Sequence, residues 1–276
     1  MPATASLLRA FLDAHSHVAR VEVAEAKGST PREAGAWMLV APSAIFGTIG
    51  GGQLEFMAID RAREMLRSQS SPRPGASEAH TLDIPLGPEI GQCCGGRVSL
   101  SVTSMDEARR RSTVAAAETE DARLPSVLLF GGGHVGRALS QALALLPVRA
   151  TVVETRAEAL EGFPEAVATR LTPVPEEQVR EAPPGAAFVV LTHDHALDFL
   201  IVAEALRRGD TAYVGMIGSQ TKKATFRSWF LKTAGGSEAE FARLVSPIGG
   251  AAVRDKRPAV IAALAAAEIM TALAKA

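Results

Sequence analysis

At 276 residues the chain is longer than one hydrophobic core usually serves, so two domains are expected. Hydrophobic residues make up 47% of it and charged residues 21%, a balance that excludes an intrinsically disordered chain. A formal net charge of −1 offers no basic field to a nucleic-acid backbone or an anionic membrane surface, and no apolar run reaches the roughly 18 residues of a membrane span; the expectation is a cytoplasmic protein with a small-molecule or protein partner.

In chain order, Leu7, Leu8, Phe11 and Leu12 recur at helical spacing and predict a short amphipathic helix over 7–15, a pattern unlike a signal-peptide core. Alternation predicts a strand at 21–26, followed by a turn at Gly28, Ser29, Thr30 and Pro31 and by strands at 37–40 and 44–48. Gly50, Gly51 and Gly52 open a helix expected over 53–66, whose Leu54, Met57, Ala58 and Leu66 face a core. The Ser- and Pro-rich stretch 68–77 reads as a loop, and 81–84 and 97–103 as strands. Between those strands lies a second glycine-rich loop, Gly91, Gln92, Cys93, Cys94, Gly95 and Gly96. Together these elements make an N-terminal α+β domain over 1–105.

The charged, Ala-rich stretch 106–124 reads as a linker, part of it helical. Over 125–276 the pattern changes. Apolar strands near 127–130, 150–153, 187–191 and 212–216 alternate with helical stretches, the mark of an α/β, Rossmann-type domain with a parallel sheet covered on both faces.

The strand at 127–130 runs into Gly131, Gly132, Gly133, His134, Val135 and Gly136, a G-x-G-x-x-G that opens a helix. In that context the first glycine permits the tight turn, the second lets a phosphate approach the backbone and the third lets the helix pack closely, while the helix start favours negative charge. Glu154 ends the second strand, where a carboxylate reads a ribose hydroxyl in dinucleotide-binding domains. The ligand of such a loop is a nicotinamide dinucleotide, another phosphate, or nothing, the glycines then serving packing alone.

Thr192, His193, Asp194 and His195 follow the strand at 187–191, with Asp198 one turn further on. Two histidines and a carboxylate at that edge suit a metal or a proton transfer, or else cap the helix expected over 196–208. Gly218 and Ser219 close the next strand before Lys222 and Lys223, a second helix entry that suits an anion, although single lysines usually form a solvated face. In the N-terminal domain, Gly50, Gly51 and Gly52 with Gln53 and Glu55 in the first helical turn make a third such entry, with Glu55 also placed to cap its own helix. Cys93 and Cys94 are the only cysteines. Adjacent cysteines rarely form a mutual disulfide and make no zinc pattern, and a glycine-rich loop exposes thiols rather than packing them, so a reactive site is favoured.

Six stretches, GTIGGGQLE (47–55), GQCCGGR (91–97), FGGGHVG (130–136), THDHALD (192–198), YVGMIGS (213–219) and SPIG (246–249), resemble from end to end the xanthine dehydrogenase accessory proteins of the XdhC and CoxI family. That resemblance implies a non-enzymatic chaperone that binds the molybdenum cofactor (molybdopterin), protects it during sulfuration and delivers it to xanthine dehydrogenase. A cysteine desulfurase is then the sulfur donor. It also implies that the cofactor is touched by Cys93 or Cys94 at its metal end, and by residues of the glycine loops and of the histidine and Gly218–Ser219 stretches. Cys94 occupies the shared position before the paired glycines and Cys93 is the extra thiol. The chain departs from its relatives after SPIG, where it has Gly250, Ala251, Ala252 and Val253 in place of a Leu-Asp-Ile-Gly type segment. A homodimer is the default expectation for a soluble chain. The rival is an NAD(P)-dependent oxidoreductase, in which Glu154 reads the ribose and His193 or His195 moves the proton; a dehydrogenase of this size has no need of the GTIGGGQLE and GQCCGG stretches.

Overall fold

In the computed structural model, which describes residues 5–69, 80–87, 95–250 and 253–276, the chain divides into two units between Ala122 and Arg123. The first unit holds α1 (Ala5–Ala14), β1 (Ala19–Lys27), β2 (Trp37–Val40), β3 (Ile45–Gly47), α2 (Gly52–Gln69), β4 (His80–Pro85), β5 (Arg97–Ser104) and α3 (Glu107–Arg123). Its five strands form an antiparallel sheet in the order β3-β2-β1-β5-β4. Alternation along β1 and β5 sends Val21, Val23, Leu100 and Val102 to one face, where Leu54, Ala58, Ala62 and Met65 of α2 cover them. Leu39 and Ala41 join Leu8 and Leu12 of α1 and Ala117 of α3 in a separate core.

Helix α3 occupies the stretch expected to be a linker. Only Thr113 and Ala117 of it are buried, which is why no apolar stripe announces it. Polar contacts hold it instead. Asp121 accepts the backbone N–H of Ala5 at 2.7 Å, and Arg110 donates from Nη1 to the Leu12 carbonyl at 2.8 Å and from Nη2 to those of His15 and Ser16 at 2.9 and 2.7 Å. Both ends of α1, whose terminal backbone groups have no partner within the helix, are thus satisfied by α3. The C-terminal end of α2 extends past the expected boundary, and most of the loop read at 68–77 lies outside the described residues, as do Gly91, Gln92, Cys93 and Cys94.

The second unit holds β6 (Ser126–Phe130), α4 (His134–Leu143), β7 (Arg149–Glu154), a 3-10 turn (Ala157–Leu160), β8 (Ala168–Leu171), α5 (Pro175–Glu181), β9 (Ala187–Val190), α6 (His195–Arg207), β10 (Tyr213–Met216), α7 (Gln220–Lys232), α8 (Glu238–Phe241), β11 (Leu244–Val245) and α9 (Pro258–Leu273). Six parallel strands run in the order β11-β10-β9-β6-β7-β8. One face packs Val127, Leu129, Val152 and Val189 against α4 and α9, and the other packs Leu128, Phe130, Phe188 and Val190 against α5, α6 and α7. From β6 the chain crosses to β7 on one side, and from β9 to β10 on the other, so the order reverses between β6 and β9. In open α/β sheets that reversal, at the carboxyl ends of the strands, is where ligands bind.

Replacing Arg110 by Ala removes a donor from the carbonyls of Leu12, His15, Ser16 and Met105 and should lower the unfolding free energy by about 1–3 kcal/mol, with Arg110→Lys recovering only part because an ammonium cannot span the fork. Urea denaturation measures it; a wild-type midpoint in Arg110→Ala would contradict the role given to this helix.

Candidate functional site

At the reversal the glycine loop is built backbone against backbone. A Cβ on Gly131, whose φ is +117°, would lie 2.7 Å from the Leu191 carbonyl oxygen; on Gly132, 2.3 Å from that of Ala159; on Gly136, 2.1 Å from that of Gly131. None of the three positions admits a side chain. Gly133 is different: its φ of −70° suits any residue, and a Cβ there would meet nothing within 4 Å. It is the exposed N-cap of α4, with no capping side chain bonded to the first turn. His134, the first residue of α4, is exposed there.

Glu154 sits behind this loop and not in front of it. It is buried, with Oε2 accepting the Gly132 N–H at 2.9 Å and Oε1 accepting the Thr155 N–H at 2.8 Å and that of Arg156 at 3.3 Å. Burial pushes its pKa up, but the Gly132 and Thr155 amides and the Arg156 guanidinium outweigh burial and hold the carboxyl below its ordinary value. Its oxygens are committed to the protein's own backbone. Arg137, which no sequence pattern singled out, fixes the far side: Nη2 donates to the Ala159 carbonyl at 3.3 Å and Nη1 to that of Glu161, holding Ala159 over Gly132.

The loop after β9 lies beside Gly131. Asp194 is the N-cap of α6, accepting from Ala196 N at 2.8 Å, and His193 and His195 are exposed. Asp198 does not join them. It is fully buried, bonded to the Thr192 hydroxyl at 2.6 Å and paired with Lys222, so this lysine is not on a solvated face. Among the described residues no group of three or more His, Cys, Asp or Glu could hold a metal ion. After β10, Ser219 caps α7 by accepting from Lys222 N at 3.2 Å, and a Cβ on Gly218 would lie 2.6 Å from Lys222 Cδ. After β11, Glu268 of α9 receives both the Tyr213 hydroxyl at 2.7 Å and the Gly249 N–H at 3.0 Å, tying the SPIG stretch to the sheet.

In the first unit, Gly50, Gly51 and Gly52 have φ of +124°, +76° and +66°, a run only glycine adopts without strain. The amides this exposes are met from within: Glu55 Oε2 accepts from Thr48 Oγ1 at 2.5 Å and from Ile49 N and Gly51 N at 3.1 Å each. Gln53 is exposed beside it. The turn at 28–31, read from sequence as a turn and nothing more, is wedged between the two glycine stretches. A Cβ on Gly50 would lie 2.6 Å from Pro31 Cβ, and one on Gly96 only 2.3 Å from the Ser29 carbonyl oxygen. Gly95 N and Leu86 N bond across to Leu86 O and Gly96 O at 2.9 and 2.8 Å, so the described residues on either side of the stretch with Cys93 and Cys94 are paired at this end of the sheet.

Because the folded-state pKa of Glu154 lies below its unfolded value near 4.5, its bonds stabilise the second unit fully above that pH and are lost as pH falls through the lowered folded value. In Glu154→Gln one backbone N–H meets an amide donor, at a cost of about 1–3 kcal/mol at neutral pH. The gap in melting temperature between variant and wild type should therefore narrow as pH falls from that unfolded value through the lowered folded one; a gap constant across that range would contradict this placement of the carboxylate.

The family model described as the XdhC Rossmann domain matches residues 127–269, and the one described as the XdhC and CoxI family matches residues 11–74. A protein of Escherichia coli K12 named Uncharacterized protein YqeB is 28% identical over 244 residues, which are 84% of this chain and 39% of that protein, so the chain spans about two fifths of that relative's length. A crystal structure from Bacillus halodurans, described as a xanthine dehydrogenase, shares the fold: the TM-score is 0.77 over 98% of this chain and 96% of that one, at 16% identity. With one model covering its parallel sheet and the other its N-terminal elements, the chain belongs to the XdhC and CoxI family.

Proposed function

We propose that the protein serves xanthine dehydrogenase maturation as a cytoplasmic chaperone of the molybdenum cofactor, holding molybdopterin while a cysteine desulfurase supplies sulfur and then passing it to the enzyme. It turns over no substrate of its own. Family membership supports the client, and the description of the similar Bacillus halodurans structure agrees with it. The observation that carries the ligand reading is Gly133. Three neighbouring glycines are required by the packing of the loop itself, whereas Gly133 is not, and a residue without a side chain at an uncapped helix start leaves room for an anion to reach the backbone.

The phosphate end of molybdopterin fits that cradle. The first-turn amides of α4 would hold it, His134 and the exposed His193 and His195 would border it, and Gly218 and Ser219 would close the edge. In the first unit, Gly50, Gly51, Gly52, Gln53 and Glu55 would shape the sheet end where Gly95 and Gly96, next in sequence to Cys93 and Cys94, are held. A soft thiolate suits the metal–sulfur end of the cargo. We assign that contact to Cys93 or Cys94, and a homodimer to the assembly. An NAD(P)-dependent oxidoreductase would use the same glycine loop, but the carboxylate that should read the ribose is bonded to Gly132, Thr155 and Arg156.

Protein purified from molybdate-fed cells should carry molybdopterin, measured as its fluorescent oxidation product together with molybdenum by mass spectrometry. A carboxylate introduced by Gly133→Asp about 4 Å from the phosphate opposes it by about 1–4 kcal/mol, a loss of roughly fivefold to a thousandfold in affinity, while the melting temperature stays at the wild-type value. Replacing Cys93 and Cys94 together by Ser should weaken retention as well. Undiminished cofactor in a folded Gly133→Asp protein would remove the phosphate from this loop. Multiple turnovers of NADH or NAD with a small substrate, suppressed by Glu154→Ala, would install the oxidoreductase instead.

A further inference from the structure

Between α6 and α7 an ion pair is closed inside the fold. Asp198 has no exposed side-chain surface and Lys222 only 8%. Lys222 Nζ donates to Asp198 Oδ2 and, at 3.1 Å, to the carbonyl of Ile217 in the loop after β10. The other carboxylate oxygen, Oδ1, accepts from the hydroxyl and the backbone N–H of Thr192, at 2.6 and 3.1 Å, in the loop after β9. The pair therefore ties two loops of the carboxyl edge to two helices at once. The glycine of the following motif answers to it: the lysine stem passes so close to Gly218 that a Cβ there would strike its Cδ, so this position is kept bare for the lysine.

Stability alone does not account for such a pair. Desolvating two charges offsets most of their attraction, and apolar residues of similar volume commonly serve the fold as well or better. What an ion pair adds is direction, since it is satisfied only in one arrangement of its neighbours. Here that arrangement includes the ligand loop. Thr192 N, the atom that Asp198 holds, lies 3.0 Å from where a Cβ of Gly131 would be, and the Leu191 carbonyl oxygen lies 2.7 Å from it. The backbone on which Gly131 rests is thus set by Asp198, and Asp198 is set by Lys222.

We propose that Asp198 and Lys222 are positioning residues of the ligand site: through Thr192 and Ile217 they hold the loops after β9 and β10, the first of which lies against Gly131. The inference rests on the reading that this loop receives an anion, but its test does not need the ligand. Asp198→Leu and Lys222→Met are introduced together in the full chain, and three quantities are measured: melting temperature, amide hydrogen exchange and molybdopterin retention. The expected result is a melting temperature at or above wild type, exchange faster by about tenfold or more at Thr192, His193, Ile217 and Gly218 with the core of β6 and β9 unchanged, and retention reduced by about tenfold or more. A merely structural pair would move the melting temperature and the whole unit together. Wild-type exchange at those four amides in a stably folded double variant overturns the proposal. If the double variant does not fold, Asp198→Asn, which keeps the shape and an acceptor for Thr192 but loses the charge, is read by the same exchange criterion. Should wild-type protein carry no molybdopterin, the cofactor reading falls, while the exchange result still decides the role of the pair.

Discussion

The carboxyl edge of the parallel sheet depends on one close approach, that of Gly131 to the backbone at Leu191 and Thr192. Backbone can lie on backbone there only if neither residue's side chain intervenes, and the contact joins the two strands between which the sheet order reverses. From it follow the path of the chain into α4 and the place of the loop that carries His193 and His195. Glu154 and Arg137 hold the same loop from behind and from the side, through Gly132 and Ala159. The start of α4 thus follows a backbone fixed on three sides.

The two glycine loops solve the same electrostatic problem in opposite ways. Each exposes backbone N–H groups, and each has an acid of its own chain nearby. Glu55 places its carboxylate into the loop at 48–51 and satisfies it internally. Glu154 engages its loop from the buried side and leaves the helix start open. The first unit's glycines shape the end of the antiparallel sheet, where the turn at 28–31 is wedged between Gly50 and Gly96.

Much of this was legible in the residues. Period-two alternation marks the strands at 21–26 and 97–103, and continuous apolar runs mark those at 127–130 and 187–191, because burial on one or both faces leaves its trace in the sequence. The glycine fingerprint located the loop because its spacing is a steric requirement. What left no trace was held by polar contacts or by length. Helix α3 buries two residues and is kept by Arg110 and Asp121, so its composition reads as a linker. Strand β8 is exposed throughout and β11 is two residues long, too little for any pattern. The pairing of Asp198 with Lys222 crosses 24 positions, and Glu154 faces the loop and not the solvent; in both cases the residue stands out in the sequence but its partner is fixed only by tertiary geometry.

A chaperone must let go, so its contacts with the cargo are to be several and modest, and the client must hold the cofactor more tightly. The most direct test is transfer. Molybdopterin-loaded protein is titrated into cofactor-free xanthine dehydrogenase, and the activity recovered is plotted against protein added. The account predicts a linear rise that ends when cofactor supplied equals enzyme sites. Recovery far beyond the cofactor supplied, or full maturation of xanthine dehydrogenase in cells lacking this protein, would contradict it.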